Sequence, residues 1–124
     1  MPERTGAPRM APETPVVALL LTGPDAAGLA VLGRALVEEG LAACVNVLPG
    51  ARSIFRWEHR VVEEDEAVAI VKSVAPLVPA IARRVREIHP YELPEVLALR
   101  TSGGSEAYAD WVRDAVGERL RDES

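Results

Sequence analysis

The sequence predicts an α+β domain, a ferredoxin-like sandwich with an extended β-hairpin and an extra C-terminal helix, and three observations lead there. Short apolar runs and segments of helical spacing follow one another in the order β α β β β α β α. Between the first two helical segments lies an alternating stretch with a wet face, which reads as a hairpin. A last amphipathic segment follows the final strand and adds a third helix.

The elements follow in order. Residues 16–21 (VVALLL) form a strand apolar on both faces, and Thr22-Gly23-Pro24-Asp25 turns it into a helix over about 25–39. Leu29, Leu32, Leu36 and Val37 keep helical spacing there, and Gly40 sits where a left-handed cap ends a helix. Residues 41–48 (LAACVNVL) read as the second strand, stopped by a turn at Pro49-Gly50. Residues 53–58 alternate as a third strand, with a hairpin tip expected at His59-Arg60. After the acidic cluster Glu63 to Glu66, residues 67–74 form a fourth strand. Pro76 opens a second helix, whose apolar face is Leu77, Ile81, Val85 and Ile88. Pro90 disfavours helical geometry at His89, and Pro94 keeps the following residues out of a helix. Residues 95–100 are the last strand, and Tyr108, Trp111, Val112 and Val116 mark one side of the final helix.

Length and composition bound the rest. A chain of 124 residues predicts one domain over 16–124. Residues 1–15 hold four of the ten prolines and almost no large apolar side chain, so they read as a disordered tail. A net charge of −5 argues against nucleic acid as a partner. No apolar run approaches the roughly 20 residues that span a bilayer, and the start lacks a signal-peptide pattern. With a single cysteine there is no internal disulfide, and a cytoplasmic, reducing setting is expected.

Counting faces gives one more expectation. An antiparallel sheet covered on one side alternates apolar and polar residues, yet residues 16–21, 41–48 and 67–71 are apolar on both faces. The second face therefore packs on another subunit, or else a helix of the same chain crosses to it.

Few residues suggest chemistry. His89 stands at a helix end beside Tyr91, Glu92 and Glu95, and an imidazole with carboxylates suits Zn, Cu or Ni. The alternative is a histidine that only caps its helix. Cys44 lies mid-strand, where a free cysteine usually behaves as a small hydrophobe. Lys72 is the only lysine, placed for its compact charge or left by a bias toward arginine. The arginines Arg83, Arg84 and Arg86 and the acidic cluster read as solvated faces. No phosphate loop, thiol-redox, zinc-protease or hydrolase motif is present, so no enzyme is indicated.

The segments LAACVN (41–46), Pro49-Gly50, SIFRWE (53–58), Ile70-Val71-Lys72, HPYE (89–92) with Pro94-Glu95, Tyr108 and Trp111-Val112 together resemble the CutA family of divalent-cation tolerance proteins. The resemblance covers about residues 16–116. It implies a ferredoxin-like, PII-like homotrimer in the cytoplasm, with a role in tolerance to divalent metals and with copper, ahead of zinc, as the bound ion. It carries His89 and Cys44 over as metal residues. Positions where some members have a further cysteine or histidine are Leu21, Arg84 and Ile88 here. The leading reading is thus a trimeric metal-response protein with an inter-subunit pocket formed by Lys72, Tyr91, Glu92, Glu95 and Trp57, taking a divalent ion or small anion. The other reading is a PII-like adaptor that binds a small metabolite or nucleotide and then an unidentified protein partner.

Overall fold

A computed structural model describes residues 14–123. The tail expected over 1–15 lies, up to residue 13, outside them. The elements are β1 (Val16–Gly23), α1 (Ala26–Glu38), β2 (Cys44–Trp57), β3 (Arg60–Val74), α2 (Val78–Ile88), β4 (Leu97–Arg100) and α3 (Glu106–Glu123). A short 3-10 turn, Ala75–Leu77, joins β3 to α2. The four strands form one antiparallel sheet in the order β2-β3-β1-β4. With two helical crossovers this is the ferredoxin-like arrangement expected, with one strand fewer.

The missing strand has a local cause. Residues 49 and 50 do not turn the chain; they form a bulge between the pairs Leu48↔Val68 and Ala51↔Glu66. Gly50 adopts φ +82°, a conformation costly for residues with a Cβ, and absorbs the extra residue. The ladder resumes beyond it, so β2 and β3 each run unbroken along the hairpin. Its tip falls one residue earlier than expected, at Glu58 and His59, both with positive φ as a two-residue primed turn requires. The second strand also begins late, at Cys44. Gly40 at φ +75° ends α1 as expected, and the next amides turn back: Leu41 and Ala42 N–H both donate to the Leu36 carbonyl.

The alternation of β1 decides the layers. Val17, Leu19 and Leu21 are buried, joining Leu32, Leu36, Ile81 and Val85 of α1 and α2 in the core. Ser73, fully buried on β3, is accommodated because its hydroxyl donates to the Leu41 carbonyl at 2.6 Å. The even-numbered positions face the other way. On that face, opposite Ala18, Leu20 and Thr22 of β1, Leu48, Leu97 and Leu99 stay exposed. Helix α3 crosses only one end of the sheet: Val112 and Val116 enter the core, Arg113 Nε donates to the Thr14 carbonyl, and Arg119 to the Glu39 carbonyl. Two arginines read as solvated also tie elements together. Arg84 makes a two-pronged contact with Glu39 at 2.9 Å, and Arg83 reaches Glu123 at 3.3 Å.

Close packing of α1 on β2 depends on Gly33. A Cβ there would stand 2.8 Å from Val45 Cγ1. Gly33→Ala improves helix propensity yet forces Val45 aside, so a net loss of about 1–2 kcal/mol is expected in urea unfolding. A gain in stability would show that the two elements part at no cost.

Candidate functional site

The site is built around the end of α2. The helix stops at His89, whose ψ of 141° is the extended geometry that a following proline imposes. The His89 ring is buried, and both its nitrogens are engaged. Nδ1 accepts from the Tyr91 backbone N–H at 3.0 Å, and Nε2 lies 2.7 Å from the Thr22 carbonyl oxygen. An amide N–H only donates and a carbonyl only accepts, so the ring is neutral with its proton on Nε2. This fastens the 90–95 loop to the end of β1. The ring bonds no carbonyl of α2, so its role is to bridge the loop and β1 rather than to cap its own helix, and both nitrogens already have partners.

Tyr91 continues the chain of contacts. Its ring packs on that of His89 with centroids 4.7 Å apart, and its hydroxyl donates to Glu66 Oε2 at 2.6 Å. Burial first, and the Glu66 carboxylate second, push the phenol well above its usual range. Tyr91 thus stays neutral and anchors the loop to β3.

Between this loop and the distal half of the hairpin lies a cleft of about 790 Å³. Tyr91, Glu92, Glu95 and Trp57 line it, as grouped from the sequence. Glu64, Glu66, Ser53, Ile54 and Phe55 line it too, and the sequence reading missed them. A signal existed. Taken as strand rather than as a solvated run, residues 63–66 alternate, sending Glu64 and Glu66 to one side and Glu63 and Asp65 to the other. On that other side Arg52 meets both Asp65, at 2.9 Å, and Glu63, at 3.6 Å.

Lys72 is not part of the cleft. It pairs across the sheet with Cys44 on one side and Ala18 on the other, whereas the cleft begins at Thr22. Four residues along β1 is about 13 Å, so Lys72 and Cys44 stand well away from His89. Within one chain the strand register keeps them apart from His89, so the inter-subunit pocket expected from the sequence would have to bring them together from different copies. The Lys72 ammonium instead donates to Asn46 Oδ1 and lies 4.0 Å from Cys44 Sγ. Tyr108 of α3 packs over this cluster; burial and then Cys44 raise its phenol above the ordinary value. Among the described residues no group of three or more His, Cys, Asp or Glu stands close enough to hold an ion.

Two outcomes follow. His89→Ala leaves the Tyr91 N–H and the Thr22 carbonyl without their partner, a loss of about 2–4 kcal/mol in chemical denaturation; an unchanged midpoint would contradict the latch. Both tyrosines hold their protons more tightly folded than unfolded. Their contribution is therefore fully present below about pH 10 and is lost as pH rises through the folded values. Tyrosinate absorbance should rise at higher pH in folded than in denaturant-unfolded protein, and coincident titrations would contradict the raised phenols.

Residues 17–115 match the family described as CutA1 divalent ion tolerance protein. The divalent-cation tolerance protein CutA of Thermus thermophilus is 42% identical over 99 residues, covering 80% of this chain and 96% of that protein. A solved structure of the Thermus thermophilus protein superposes with a TM-score of 0.80 at 41% identity, over 82% of this chain and 99% of that one. CutA1 of Oryza sativa superposes with a TM-score of 0.81 at 32% identity, over 85% and 96%. Human protein CutA is 41% identical over 98 residues, 79% of this chain, which spans only 55% of the human protein. The chain belongs to the CutA1 divalent ion tolerance family.

Proposed function

We propose that the chain acts in divalent-cation tolerance as a non-catalytic homotrimer in the cytoplasm, meeting its ion, copper ahead of zinc, through carboxylates of the cleft rather than through a closed ligand set. The observation that carries this is the charge of the cleft: Glu64, Glu66, Glu92 and Glu95 line it, and no Lys, Arg or His among the described residues does. Carboxylate oxygens alone make a hard, adaptable ligand field. A pre-formed chelate within one chain does not fit the residues present. His89 has no lone pair to give, and Cys44 sits beside an ammonium that repels a metal ion. On this reading the ion is bound loosely, or its shell is completed by a second copy. Support for the trimer comes from the open sheet face, where Leu48, Leu97 and Leu99 are exposed together with the half-buried Leu20 and Ile70.

Light scattering and calorimetric titration of chelator-stripped protein test both parts. The expected results are a mass of three chains and micromolar or weaker binding of Cu²⁺ and Zn²⁺, reduced in Glu92→Gln/Glu95→Gln and unchanged in Cys44→Ser. Loss of binding in Cys44→Ser alone would move the site to the thiol. Absence of binding in the intact trimer would overturn the ion reading in favour of the adaptor.

A further inference from the structure

We propose that the cleft between the hairpin and the 90–95 loop is a site for a small organic ammonium, an amine carried on an apolar body. The proposal rests on the carboxylates assigned above to the ion, but on a different property of the cleft, its apolar walls. Trp57 on the hairpin and Leu93 on the loop are exposed by 47% and 71%. Phe55, Pro90 and Pro94 complete an apolar lining around the acids. A volume of about 790 Å³ lies within the range that holds drug-sized molecules.

Charge and apolar surface select the ligand by elimination. An anion would meet four glutamates with no basic residue of the described chain to offset them. A neutral apolar molecule would cover carboxylates and leave them desolvated without partners, which costs more than the burial returns. A bare divalent ion leaves the exposed tryptophan and leucine in water and gains nothing from them. An ammonium on an apolar body uses both. Its charge meets Glu92 and Glu95, which form no ion pair among the described residues and so hold open acceptors. Its body lies against the Trp57 and Phe55 rings, whose faces also attract the cation.

The latch determines the shape of this site. Glu66 is occupied by the Tyr91 hydroxyl, so it holds the loop in place while Glu92 and Glu95 stand at the rim. A ligand therefore finds a pre-positioned wall, and little ordering cost opposes binding.

The test is calorimetric titration of the full-length protein with 4-phenylbutylamine, 4-phenylbutanol and 4-phenylbutyrate, which share one skeleton and differ in charge. Expected is binding of the amine alone, at one per chain, weakened about tenfold or more in Glu92→Gln/Glu95→Gln and by added salt. Glu118→Gln, far from the cleft on α3, should bind as the parent does. Trp57→Ala should weaken the amine and leave divalent-ion binding unchanged, which separates this proposal from the ion reading. Equal binding of the alcohol or the carboxylate would overturn it, as would no amine binding at millimolar concentration. A fall in particle mass on adding the amine would show that the cleft is an interface between copies, and would overturn it as well.

Discussion

Everything in this molecule depends on the register of β1 against β3. Eight consecutive pairs, from Val16↔Val74 to Gly23↔Ala67, align the odd-numbered side chains of β1 with the core and the even-numbered ones with the open face. With β3 held on the core, a slip of one residue would turn β1 over, exposing Val17, Leu19 and Leu21 and burying Ala18 and Leu20 in their place. The same register locates the chemistry. It puts Lys72 opposite Ala18 at one end and Thr22 at the other, beside the loop that His89 holds.

That loop shows how a helix end becomes part of a site. Pro90 prevents α2 from continuing, and the imidazole of His89 supplies what the broken backbone needs, an acceptor for Tyr91 N–H and a donor for Thr22 O. Tyr91 then spans the gap to Glu66 on the hairpin. Histidine, tyrosine and glutamate thus act as a buried strut, and their neighbours Glu92, Leu93 and Glu95 are left to face solvent and the cleft. A residue pattern that suggests ligation from composition is used here for support, while Glu92 and Glu95 beside it stay exposed.

The distribution of charge fits that division. Two of the three arginines of α2 are engaged in contacts that join elements, Arg84 with Glu39 and Arg83 with Glu123. Arg52 neutralises the outer side of the acidic strand segment. On the inner side Glu64, Glu66, Glu92 and Glu95 face the cleft, with no basic residue among the described ones in its lining. In this CutA1-family chain two surfaces stand out: an apolar sheet face bearing Leu48, Leu97 and Leu99, and an acidic, partly aromatic cleft.

Much of this was legible in the residues themselves. Helical spacing with Gly40 and Pro90 as stops set the helices, apolar runs set the strands, and HPYE with LAACVN placed the chain in its family, because these signals are local and each has a backbone cause. The expectation of a half-uncovered sheet also came from sequence alone, since strands apolar on both faces need two partners. Other features required the fold. Pro49-Gly50 reads equally as a turn or a bulge, and only the pairing of Ala51 with Glu66 decides for the bulge. The acidic run from Glu63 to Glu66 reads as solvated until a partner strand gives it two sides. Whether Lys72 and Cys44 join His89 is a matter of distance across the sheet, which residue type does not encode and register does. Sequence determined which segments are helix and strand and the family they make; tertiary structure decided which side chains meet, because meeting depends on pairing partners far away in the chain.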